Sequence, residues 1–124
     1  MWFLLLLLQP VFSRPYHLAT PTTIVTSRHT HVEVVGRVSL VKREADGDWH
    51  IRVTDGKHFI VAEIIPTMTP LMDGPDGPVA RPLELPKYND CVRVRGIRRL
   101  DNEAGHGWVE IHPVEELAVI ACVP

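Results

Sequence analysis

Residues 46–66 read DGDWHIRVTDGKHFIVAEIIP, and the alternation inside this stretch decides the fold. Two runs, 49–54 and 57–64, flank Asp55-Gly56. That dipeptide suits a two-residue type I′ hairpin turn, in which both central residues take positive φ. Such a turn sets Thr54 against Lys57, Arg52 against Phe59 and His50 against Val61. Trp49, Ile51, Val53, Ile60 and Ala62 then share one face, and their apolar character makes it the inward one. His50, Arg52, Phe59, Val61 and Glu63 share the outward face. A second turn signal, Asp46-Gly47, joins this hairpin to an earlier strand-like run, giving a three-strand meander.

The earlier run, 31–42 (HVEVVGRVSLVK), alternates Val32 and Val34 with Glu33, breaks at Gly36 and resumes with Val38 and Leu40. Glycine inside a strand marks a bulge or bend. A long first strand bent at its centre is what a small closed barrel needs if that strand is to pair with both neighbours. Downstream, 91–99 (CVRVRGIRR) points Val92 and Val94 inward and Arg93 and Arg95 outward, with Gly96 as a second bend. Residues 107–114 (GWVEIHPV) set Val109 and Ile111 on one face and Trp108, Glu110 and His112 on the other. Pro113 suits a strand end or a sheet edge. The tail, 115–123, either extends this strand or forms a short terminal helix; periodicity does not arbitrate. Between the third and fourth strands, 66–86 is rich in proline. Each proline inside a helix costs about 3 kcal/mol, so this segment is expected to be a long, lid-like loop with at most a helical turn near 82–85.

The chain has 124 residues, enough for one domain, and 45% of them are hydrophobic, enough for a small core. Its formal net charge of −2 excludes a whole-molecule pull on nucleic acid, so any polyanion-binding surface must be local. The first residues, MWFLLLLLQPVFS, hold an unbroken apolar run from Trp2 to Leu8, too short to cross a bilayer as a helix, which takes about 20 residues. Small residues at Val11 and Ser13 suit a cleavage site, although a positively charged start is missing. Residues 1–13 are thus expected to be a signal or membrane-targeting segment, 14–29 a linker and 30–124 the folded domain. With a true signal the protein is exported, to a periplasmic or extracellular location; without one it is cytoplasmic. Cys91 and Cys122 are compatible with one disulfide in an exported protein, while spacing alone does not place their Cα atoms within bridging distance.

Five strands, a bent first strand, a meander, a long connection after the third strand and a closing hairpin together resemble the OB fold, a five-stranded Greek-key β-barrel. The resemblance covers 31–114 and implies an all-β barrel in which the Pro-rich loop replaces the helix usual between strands three and four. A narrower resemblance is to small bacterial OB-like proteins. Their pattern is similar to Asp-Gly-Asp-aromatic-His at 46–50, Ala-Glu-Ile-hydrophobic-Pro at 62–66, and His-Gly at 106–107 followed by Glu-Ile-His-Pro-Val at 110–114. That resemblance implies the fold and no activity. Staphylococcal-nuclease-like proteins share the barrel and the Asp-Gly-Asp turn, but their catalytic pattern fails here. Trp49 stands at their threonine, their aspartate is Ile65 or absent, and Phe59 occupies the region where an arginine is wanted.

On an OB barrel the surface around strands two and three is the usual ligand platform. The expected binding residues are His50, Arg52, Phe59, Arg93, Arg95 and Trp108, since arginine neutralises phosphate and an aromatic face stacks a base. The bland alternative is a solvated sheet face with arginine stems covering apolar surface. His106, Glu110 and His112, with His50 and Glu63 nearby, raise a second expectation, a zinc site with an open position; against it stands a purely structural role in seam hydrogen bonds. No nucleophile motif, Gly-rich phosphate loop or dinucleotide fingerprint appears, so no catalytic residue is assigned. The sequence predicts a non-enzymatic OB-like module without a required cofactor, with single-stranded nucleic acid or another anionic oligomer as partner. A metal-dependent hydrolase and a structural protein-interaction domain of the cell envelope are the alternatives.

Overall fold

Valine and isoleucine at alternate positions of four long runs give each strand one apolar face, which a sheet closed on itself buries. The computed structural model describes residues 16–65, 71–74, 77–80, 85–102, 105 and 107–123. Its strands are β1 (His17–Ala19), β2 (His31–Arg43), β3 (Trp49–Thr54), β4 (Phe59–Ile64), β5 (Leu71–Gly74), β6 (Gly77–Ala80), β7 (Cys91–Leu100) and β8 (Val109–Ile120). The main sheet runs β1-β2-β3-β4-β8-β7, and β2 also pairs with β7, so five strands close a barrel and β1 is an extra strand on its edge. The β4–β8 pair is parallel and the other barrel pairs are antiparallel. This is an OB-like barrel. Its core is the inward set of the alternation: Val32, Val34, Ile51, Val53, Ile60 and Ile111 are all 0% exposed. Burying each such side chain is worth about 1.5–3 kcal/mol.

Several local expectations are corrected. The β3–β4 connection is a four-residue turn, and Thr54 pairs with Phe59, Arg52 with Val61 and His50 with Glu63. The cause is the Asp55 side chain. Its Oδ1 accepts the backbone N–H groups of Lys57 and His58 at 2.9 and 3.0 Å, while the Thr54 hydroxyl donates to the His58 carbonyl at 2.7 Å. Of the two central residues only Gly56 has positive φ, at 92°. The register moves by two, so the partners change but facing parity survives: Ile51 now meets Ala62 and Val53 meets Ile60, inward residues on both strands.

In β2 the bulge lies between Val38 and Leu40. It turns Leu40 to the outside, where it is 38% exposed, and brings Val41 against the core in its place. Gly36 serves close approach instead, since a Cβ there would stand 2.7 Å from the Thr54 carbonyl oxygen. The segment 14–29 is not a free linker over its described part. β1 pairs with β2 in parallel, and a 3-10 turn at Thr23–Thr26 drops Ile24 into the core at 0% exposure.

The tail does extend the last strand, to Ile120, and Pro113 lies inside it rather than at its end, next to the register shifts around Gly96. Part of the Pro-rich segment forms a small hairpin, β5 with β6; of the helical turn expected near 82–85 only Leu85 is described, outside any helix, and the segment 1–13 lies outside the described residues. Cys91 and Cys122 form a disulfide, with Cα atoms 5.2 Å apart.

Candidate functional site

Strand register lays the outward side chains of β2, β3, β4, β8 and β7 in rows. Lys42 pairs with His50 and His50 with Glu63. The parallel β4–β8 ladder sets Val61 against Glu110, which brings Glu63 beside His112 two residues further along both strands. The next row is Leu40, Arg52, Val61, Glu110 and Arg99, each paired with its neighbour. Phe59 ends the third row beside Trp108, with ring centroids 6.2 Å apart. The face thus grades from carboxylate and imidazole, through a middle row that holds Arg52 and Arg99, to aromatic rings.

This face forms a recess of about 960 Å³, walled by the 44–46 turn on one side and by 99–102 and Trp108 on the other. Val61 and Glu110 point outward by parity yet are only 3% and 8% exposed, because they lie on its floor. The guanidinium of Arg52 lies 4.1 Å over the Phe59 ring, a contact worth about 0.5–2 kcal/mol. Its buried Nε has no hydrogen-bond partner among the described residues.

Glu63 is the hub of the first row. Its Oε2 lies 2.9 Å from His112 Nδ1, and with the carboxylate ionised the imidazole N–H is the donor. Its Oε1 lies 3.7 Å from His50 Nε2, whose other nitrogen is 3.1 Å from Glu44. Burial pulls the Glu63 carboxyl up, but hydrogen bonds from His112 and Asp48 outweigh it and hold the group below its ordinary value. Asp48 moves the other way, raised by burial, by its hydrogen bond to Glu63 and by the charge of Asp46. Glu110 accepts from Trp108 Nε1 at 3.1 Å; burial nevertheless pushes its carboxyl up, and the neighbouring Asp101 adds to the rise.

Four of the expected binding residues, His50, Arg52, Phe59 and Trp108, therefore meet on one face. Arg93 and Arg95 do not join them. Arg95 donates to Glu33 at 2.6 Å and to Glu116 at 3.1 Å, and Arg93 donates to Glu116 at 2.6 Å; neither lines the recess. Of the expected zinc set, His106 lies outside the described residues. Glu110 and His112 come together with Glu63, each offering a ligand atom within 4.8 Å of the others. Lys42 and Arg99 also line the recess: the bulge in β2 turns Lys42 to the outside, while Arg99 keeps the outward parity of Arg93 and Arg95 and reaches the recess by pairing with Glu110. No protein-family model matches the chain, and the search of curated proteins gives no match.

Proposed function

We propose that this protein is a non-enzymatic OB-like binding module that takes single-stranded nucleic acid or another anionic oligomer across the β3–β4 face. The observation that carries the proposal is the Arg52–Phe59 stack, with the guanidinium carbon 4.1 Å from the ring centroid, at the margin of a recess that Lys42 and Arg99 also line. Cations on the middle row neutralise anionic groups of the ligand. Phe59 and Trp108 supply ring faces, each worth about 1–3 kcal/mol per stacked base. The disulfide supports an exported protein, because such bridges persist in oxidising compartments. Kinship with small bacterial OB-like proteins is part of the same proposal. The stretches that carry that resemblance, 46–50, 62–66, 106–107 and 110–114, contribute Asp46, His50, Glu63, Glu110 and His112 to one recess.

The test is fluorescence anisotropy with a labelled single-stranded oligonucleotide over a salt series, alongside an acidic oligosaccharide of similar length. Binding that weakens linearly with the logarithm of salt concentration, and falls at least about tenfold in Arg52→Ala with Phe59→Ala, is the expected result. Absence of binding to either oligomer at low salt overturns the proposal.

A further inference from the structure

We propose that Glu63, Glu110 and His112 form a binding site for a transition-metal dication of the zinc class. Their ligand atoms lie within 4.8 Å of one another. They project from the adjacent parallel strands β4 and β8, whose pairing of Val61 with Glu110 places all three on the outward face. Ligands carried on paired strands are held more precisely than ligands on loops.

The donor set selects the metal. One imidazole nitrogen with two carboxylates suits zinc and its neighbours, whereas calcium and magnesium take all-oxygen shells. Metal bonds of about 2.0–2.2 Å put tetrahedral ligand atoms roughly 3.3–3.6 Å apart. The His112–Glu63 pair, now 2.9 Å apart, must open by about half an ångström. Glu110 must close by no more than about 1.5 Å, within the reach of side-chain torsions. Outer-shell support is already built: Trp108 Nε1 donates to Glu110, and His50 stands 3.7 Å from the far oxygen of Glu63. Such partners fix ligand orientation in metal sites. All three ligands line the recess, so the fourth position opens toward it. A cation there would also meet an anionic group of a ligand lying on the same face. The site itself does not depend on which oligomer that face takes.

The full chain, stripped with a chelator and dialysed, is titrated with zinc chloride by calorimetry, and a parallel sample is loaded with cobalt(II) for visible absorption. One ion per chain, with the intense absorption of low-coordinate cobalt, is expected. Glu63→Gln and His112→Ala should each weaken binding by more than the ten- to hundredfold typical of outer-shell losses. Glu110→Gln, which keeps the shape and the Trp108 hydrogen bond, should also weaken it while circular dichroism stays unchanged. The stacked pair His17 and His29, with ring centroids 3.6 Å apart, is the control. A wild-type protein that binds no stoichiometric zinc overturns the proposal. So does binding that survives Glu63→Gln combined with His112→Ala, or that is lost on His17→Ala and His29→Ala instead. Oligonucleotide affinity, read separately through Arg52 and Phe59, is not the readout here.

Discussion

Thr22 and Asp55 are 33 positions apart, yet the Thr22 hydroxyl donates to Asp55 Oδ2 at 2.5 Å and the Thr22 backbone N–H donates to the same oxygen at 3.0 Å. The other oxygen organises the β3–β4 turn. One carboxylate thus ties the N-terminal segment to the hairpin and sets the register on which the outward rows depend. Burial pulls its pKa up, but the backbone of His58, the Thr22 hydroxyl and the Lys57 N–H together hold it well below the carboxylate range. Asp55→Ala is expected to cost about 1–2 kcal/mol at neutral pH, after discounting charge-assisted hydrogen bonds for solvent exposure. The sign with pH follows from the depressed folded value. The contribution is complete above the unfolded pKa of about 3.9 and is lost as pH falls toward the folded value. Urea denaturation of wild type and variant at several pH values checks this: the gap should be widest at neutral pH and shrink in acid.

Gly96 sits on β7 where that strand pairs with both β2 and β8. A Cβ there would collide with the Pro113 carbonyl oxygen and come within 2.6 Å of Ile111 Cγ2. Its φ is not in the left-handed region, so the requirement is for space alone. Gly96→Ala is expected to destabilise by about 1–3 kcal/mol, the range for overpacking a filled site. A lower denaturation midpoint with an unchanged m-value is the measurement that checks it.

The barrel was legible in the sequence because period-two alternation is local. The inward set from Ile51 to Ala62 survives even though the turn has four residues rather than two. What local pattern cannot carry is any shift that a side chain or a distant strand imposes. Asp55 lengthens the turn, the bulge after Val38 reverses Leu40, and Ile24 reaches the core from a segment with no periodicity at all. The site shows the same division. His50, Arg52 and Phe59 were readable as a face of one hairpin. Glu63 meets Glu110 and His112 only through the parallel β4–β8 pairing, between strands separated by more than forty residues. Arg93 and Arg95 look like a ligand platform by residue type, but Glu33 and Glu116 engage them on a neighbouring wall.

The Cys91–Cys122 bridge spans 31 positions and ties the first residue of β7 to the chain just beyond β8. Closing a loop of that length in the unfolded chain is worth about 3–4 kcal/mol by loop-closure entropy. Cys91→Ser with Cys122→Ser is therefore expected to lower stability by up to that amount. Reduction of the wild type should match the double variant. A midpoint that moves on reduction in the wild type and not in the variant is the check.

Phe59 and Arg52 lie in one stack but should fail differently. Losing the ring removes a stacking platform, so Phe59→Ala should weaken oligonucleotide binding by about 1–3 kcal/mol, roughly five- to 150-fold, at every salt concentration. Losing the guanidinium removes a cation as well as the ring's cover. Arg52→Ala should reduce the slope of log affinity against log salt by about 0.7, the value for one phosphate contact on a single strand. Lys42→Ala and Arg99→Ala should each give slope changes of similar size if both line the ligand track, while Arg93→Ala, engaged by Glu116 off the recess, should leave the slope unchanged. Anisotropy titrations of all five variants across salt separate ring from charge. A slope that falls with Arg93→Ala and not with Arg52→Ala would move the ligand off the β3–β4 face and onto the wall where Arg95 meets Glu33.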